Sequence, residues 1–171
     1  MAVYFCLNKN KIIRNIFIFL ELIIFMFDNK KKDIIVAASG YFDPIHIGHV
    51  EYLQKAKNLG DKLIVIVNND KQAQLKKGYE FMPFSERIEI IKALKFVDEV
   101  FPSIDKDKSV CKSLERIKPH IFAKGGDRFS HEIPEAEVCN RLGIKILHGL
   151  GDKIQSSSDL IKRQKQILKS N

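Results

Sequence analysis

From Asp33 onward the chain alternates between short β-branched runs and stretches of helical period, and nothing else in the sequence narrows the fold as much. Ile34–Ala38, Leu63–Val67, Glu99–Phe101, His120–Ala123 and Lys145–Leu147 are predicted strands. Between them Val50, Leu53, Ala56 and Leu59 share one helical face, and Phe84, Ile88, Ile91 and Leu94 share another. Leu160, Gln164 and Ile167 fall within a last predicted helix. Strands separated by helices form parallel sheets, because each right-handed crossover lays a helix against the sheet. The expectation is an α/β fold, a single doubly wound parallel five-stranded sheet with helices on both faces. Ligands of such sheets bind beyond the carboxyl ends of the strands, where the strand order reverses.

The length of 171 residues suits one domain, and 45 % hydrophobic residues suffice for a core without disulfides or metal. Cys6, Cys111 and Cys139 are odd in number and far apart, with no C-x-x-C pair and no His at zinc-ligand spacing. They read as reduced thiols, and the chain as cytoplasmic. The net charge of +8 gathers at the two ends rather than along a recognition element. Lys9, Lys11, Arg14, Lys30, Lys31 and Lys32 outnumber Glu21 and Asp28, while Lys162, Arg163, Lys165 and Lys169 lie on the last predicted helix. With no aromatic-basic reading motif beside these charges, a solvated basic surface is expected, and no nucleic-acid partner.

The first residues differ from the rest. Ile16 to Phe27 is almost wholly apolar, broken by Glu21, and is shorter than the roughly 20 residues a membrane span needs. It also lacks the small-residue cleavage site of an export signal. Residues 1–32 are therefore read as an extension and 33–171 as the functional domain, with no membrane partner. A physiological start at Met26 is the further expectation, since a dozen exposed apolar residues are an aggregation hazard.

The chemistry is concentrated in Gly40-Tyr41-Phe42-Asp43-Pro44-Ile45-His46-Ile47-Gly48-His49, between the first predicted strand and the first predicted helix. Two histidines three apart share a helical face, and a first helical turn offers free amides and the positive end of the dipole to an anion. Gly48 between them leaves room for a phosphate. A lone histidine there would most simply be structural, but the pair flanking a glycine after a strand reads as a polyphosphate cradle.

This stretch resembles the GxFDxxHxGH signature of the cytidylyltransferase-like nucleotidyltransferase superfamily. Lys76-Lys77-Gly78, Pro83 and Glu86-Arg87 resemble the loop and helix start that meet the triphosphate in these enzymes, and Val97-Asp98-Glu99-Val100 resembles the strand that follows. Lys124-Gly125-Gly126-Asp127 resembles the nucleotide loop of the heptose-phosphate and glycerol-phosphate branches. Ser156-Ser157-Ser158 stands where the family has its terminal serine-threonine motif. The likeness spans about Asp33 to Ile161. Where cytidylyltransferases usually carry R-T-x-G, this chain has Gly151-Asp152-Lys153-Ile154, and Lys153 cannot replace an arginine fork.

The resemblance implies a Rossmann-like fold and the joining of a small sugar- or polyol-phosphate to ATP or CTP with release of pyrophosphate. It implies His46, His49, Lys77 and Arg87 as catalytic residues, with Gly40, Tyr41, Phe42, Gly48, Lys76, Lys124, Gly125, Gly126, Asp127, Ser156, Ser157 and Ser158 at the nucleotide. Asp43 and Asp70 are candidates for the substrate, although cap or turn roles explain them as well. Mg²⁺ would arrive with the nucleotide rather than on protein ligands, and a homodimer is left open. Alternatives are a nicotinamide-mononucleotide or phosphopantetheine adenylyltransferase and, in another class, a non-catalytic nucleotide binder or a basic nucleic-acid binder.

Overall fold

The computed structural model describes residues 16–21, 32–125 and 133–150, together with positions 157, 160, 161, 163, 166 and 167. Met26, Lys30 and Lys31 of the N-terminal expectations, and Gly126, Asp127, Ser156 and Ser158 of the site, lie outside the described residues. The chain divides into two compact units, Met1–Lys32 and Asp33–Asn171. In the first, residues 16–21 are helical and expose Ile16, Phe17, Ile18, Phe19 and Leu20. No helix among the described residues is long and apolar enough to cross a membrane.

The second unit carries five strands, β1 (Ile35–Gly40), β2 (Lys62–Val67), β3 (Glu99–Pro102), β4 (Ile121–Ala123) and β5 (Lys145–Leu147). All pair in parallel in the order β3-β2-β1-β4-β5. The chain therefore builds outward from β1 in one direction and then in the other, and the order reverses between β1 and β4. That is the crevice where a ligand of a doubly wound sheet belongs.

The helices are α1 (Ile47–Lys57), α2 (Asp70–Lys77), α3 (Phe84–Lys92), α4 (Cys111–Ile117) and α5 (Ala136–Leu142). Alternate residues of the strands face opposite layers. Val36, Ala38, Leu63, Val65 and Val67 pack with Leu53 and Ala56 of α1 and Ile91 of α3. Ala37, Ile66 and Phe122 pack on the other face with Leu114 of α4 and Cys139 of α5. Strands buried on both faces explain the nearly continuous apolar runs of β1 and β2.

Two sequence expectations change. Lys76 and Lys77 were expected in a loop, yet they form the last turn of α2, which begins at the Asn69 cap. There the Asn69 side chain accepts from Gln72 N–H at 3.1 Å while the Gln72 side chain accepts from Asn69 N–H at 3.0 Å. This reciprocal cap starts a helix that carries no apolar stripe to advertise it. The buried face of α1 is also shifted, since Val50 is only half-buried whereas Tyr52, Leu53 and Ala56 are enclosed.

Candidate active site

The turn after β1 is built around Phe42. Its ring folds back beneath Gly40, where an added Cβ would lie 2.7 Å from Cζ, so glycine is what lets the chain turn there. Phe42 itself sits at φ 52, an uncommon region for a bulky residue, and is held by burial and an edge contact with His49 at 5.1 Å between ring centres. This turn delivers His46 to the N-cap of α1 and His49 to its first turn.

The two imidazoles stack at 3.8 Å with planes 20° apart. The His46 backbone N–H donates to His49 Nδ1 at 3.3 Å, which leaves the proton of a neutral His49 on Nε2. Burial, then the neighbouring His46 and Lys77, push the His49 pKa down to about 3. His46 is lowered in the same way, by burial first and then by Lys77. Among the described residues, His46 Nδ1 is buried with no hydrogen-bond partner. The free site thus holds two neutral imidazoles beside a lysine, an arrangement an anion would relieve.

Acid should expose this geometry. An unfolded histidine titrates near 6.5 and folded His49 near 3, so between those values the unfolded chain binds a proton that the folded chain does not. Stability therefore falls as pH drops from about 6.5 toward 3. The His49→Gln variant is expected to lose less Tm across that window than the parent. An unchanged acid limb in thermal melts at a series of pH values contradicts the assignment.

Lys77 lies beside the histidines. Its Nζ donates to the Asp43 backbone carbonyl and stands 3.7 Å from the Asp43 carboxylate. Burial lowers its pKa, and Asp43 pulls it back upward. Lys76 Nζ lies 4.4 Å over the Tyr41 ring. Ser157 Oγ donates to the Pro44 carbonyl at 3.0 Å, which joins Ser157 to the histidine loop. Lys124 follows β4 across the crevice, 3.7 Å from the carboxylate of buried Glu135.

Arg87 and Asp43 are buried, and the partly exposed Asp70 pairs with Arg87. Arg87 is 1 % exposed and donates to the carbonyls of Met82 at 3.0 Å, Tyr41 at 2.7 Å and Asn68 at 2.7 Å, and to the Asp70 carboxylate at 2.6 Å. Asp43 is fully enclosed and accepts from Phe81 N–H and Met82 N–H. Asp70 accepts from Phe84 N–H at 3.4 Å as well as from Arg87. These groups tie the loops after β1 and β2 to α3. Buried charge survives there because backbone dipoles and a carboxylate neutralise it.

Sequence reading missed Tyr52 and Glu135. Tyr52 follows His49 by three residues on the buried stripe of α1, and that spacing was the available signal. Among the described residues no three His, Cys, Asp or Glu side chains gather to hold a metal ion.

The family model for cytidylyltransferase-like proteins matches residues 37–163. The chain belongs to that family and is a nucleotidyltransferase of the adenylyl- or cytidylyl-transferring kind. Among curated proteins it is 39 % identical over 129 residues to an FAD synthase of Thermococcus onnurineus, covering 73 % of this chain and 79 % of that protein. It is 37 % identical over 119 residues to the bifunctional protein HldE of Nitrosococcus oceani, covering 68 % of this chain but 25 % of that longer protein. Among solved structures, the lipopolysaccharide core biosynthesis protein of Thermoplasma volcanium superposes with a TM-score of 0.61 at 30 % identity, over 71 % of this chain and 99 % of that one.

Proposed function

We propose that the chain transfers the adenylyl group of magnesium ATP to the phosphate of a small sugar- or polyol-phosphate at the crevice between β1 and β4. The observation that carries this reading is the convergence of His46, His49 and Lys77 at the N-terminus of α1, beside the strand-order reversal. FAD synthases and HldE are adenylyltransferases, which favours ATP over CTP. The Lys124-Gly125-Gly126-Asp127 sequence favours the sugar-phosphate acceptor.

An acceptor phosphate is already ionised near neutral pH and needs no base. One of its oxygens attacks the α-phosphorus, the bond from that phosphorus to the bridging oxygen of the β-phosphate breaks, and pyrophosphate leaves. His49 Nε2–H, the His46 ring, the amides of the first turn of α1 and Lys77 stabilise the charge gathering on the phosphate oxygens. Magnesium is part of the nucleotide substrate and supplies charge neutralisation there. Arg87, Asp43 and Asp70 keep the loops in place.

A second reading, with a phosphorylated flavin as acceptor, is favoured by the FAD synthase relatives. Pyrophosphate release measured for ATP, CTP, GTP and UTP against sugar, polyol and flavin phosphates tests both. ATP with a sugar- or polyol-phosphate is the expected pair. Turnover only with the flavin phosphate transfers the assignment to the second reading, and release with no acceptor of either kind refutes both. Excess EDTA is expected to abolish release without moving the thermal midpoint, because the metal enters with the nucleotide. Undiminished release in EDTA contradicts the magnesium requirement.

A further inference from the structure

The direct pairing of β1 with β4 ends at Ala38 opposite Ala123. One step beyond, the Ser39 N–H donates to the Tyr52 hydroxyl oxygen at 3.2 Å, and the same hydroxyl donates to the Ala123 carbonyl at 2.8 Å. A side chain from α1 thus replaces the ladder bond where the two strands part, at the mouth of the crevice. Burial pushes the phenol well above its ordinary range, opposed by the Ser39 amide, so the group keeps its proton and both bonds keep their direction.

The ring has a second contact. Gly125 packs against it so closely that an added Cβ would stand 3.1 Å from Cδ2. On the other side the Lys124 N–H donates to the Leu147 carbonyl at 2.8 Å, and the Leu150 N–H donates to the Lys124 carbonyl at 3.3 Å. Ala123 to Gly125 is therefore gripped between α1 and the segment running out of β5. Tyr52 lies three residues from His49, so one helix carries the imidazoles on one wall of the crevice and holds the opposite wall at a fixed distance.

We propose that Tyr52 is a positioning residue that fixes the Ala123–Gly125 wall and so sets nucleotide affinity, separately from the transfer step at His46 and His49. The inference rests on nucleotide binding at this crevice. A hydroxyl bridging two backbone groups is the feature that a merely apolar core residue would lack.

The test compares binding of magnesium ATP, its KM and kcat in the parent, Tyr52→Phe, Gly125→Ala, Tyr52→Leu and the Tyr52→Leu/Gly125→Ala double variant. Tyr52→Phe keeps the ring and removes both bonds. Kd and KM for nucleotide are expected to rise about tenfold, with kcat within twofold of the parent. Gly125→Ala reads the same contact with the hydroxyl intact, so it decides the matter even where Tyr52→Phe fails to fold. It should weaken nucleotide binding in the parent and much less in the Tyr52→Leu background, where the obstructing ring is gone. A fall in kcat at unchanged KM in Tyr52→Phe overturns the proposal, as does an equal Gly125→Ala effect in both backgrounds. A parent protein that binds no nucleotide overturns the crevice reading itself, which distinguishes the two failures.

Discussion

His46→Ala and His49→Ala are each expected to lower kcat by about 10² to 10³ while the protein stays folded, the usual loss when one preorganised donor to a transition state is removed. The two rings stack at 3.8 Å and share Lys77 as a neighbour, so they act as a unit and their losses should not add. The double variant should be little worse than the more damaged single one. Steady-state pyrophosphate release, with circular dichroism as the folding control, is the measurement. Wild-type turnover in both single variants would place the chemistry elsewhere.

Arg87→Ala should instead damage the fold. Removing a guanidinium that is 1 % exposed takes the hydrogen-bond donor from the carbonyls of Tyr41, Asn68 and Met82 at once. Hydrogen bonds from a charged donor contribute about 1.5–3 kcal/mol each, so losing several of them lowers the Tm of a unit of this size by roughly 10 °C or more. Activity should fall as a consequence, because Tyr41 belongs to the histidine loop. An Arg87 that met the triphosphate directly would behave in the opposite way, with kcat reduced and Tm unchanged. Thermal melts alongside kinetics separate the two.

The contrast between these variants marks how far sequence alone reaches. The strands were legible because β1 and β2, buried on both faces, read as apolar runs, and the histidine pair because it stands between a strand and a helix. The loop-tying bonds of Arg87, Asp43 and Asp70 were not legible because a charged side chain in a motif looks the same whether it faces a ligand or a backbone carbonyl. Only the three-dimensional meeting of the loops after β1 and β2 with α3 brings the carbonyls of Tyr41 and Asn68 to one guanidinium. Helix α2 was hidden by its polarity. Its Asn69–Gln72 capping pair was readable in the sequence, but no apolar period drew attention to it. The bridge made by Tyr52 escaped because it joins two backbone atoms, Ser39 N and Ala123 O, that are 84 residues apart in the chain.

The central claim is that the nucleotide's polyphosphate rests on His46 and His49. It is tested most directly by following the imidazole resonances of the five histidines by NMR as magnesium ATP is added without acceptor, each signal assigned by single substitution. The His46 and His49 signals are expected to move together and to saturate with nucleotide. His120, whose Nδ1 accepts from the Ile35 N–H at the opposite end of β1, should stay in place. Saturable ATP binding that leaves both His46 and His49 unmoved contradicts the claim.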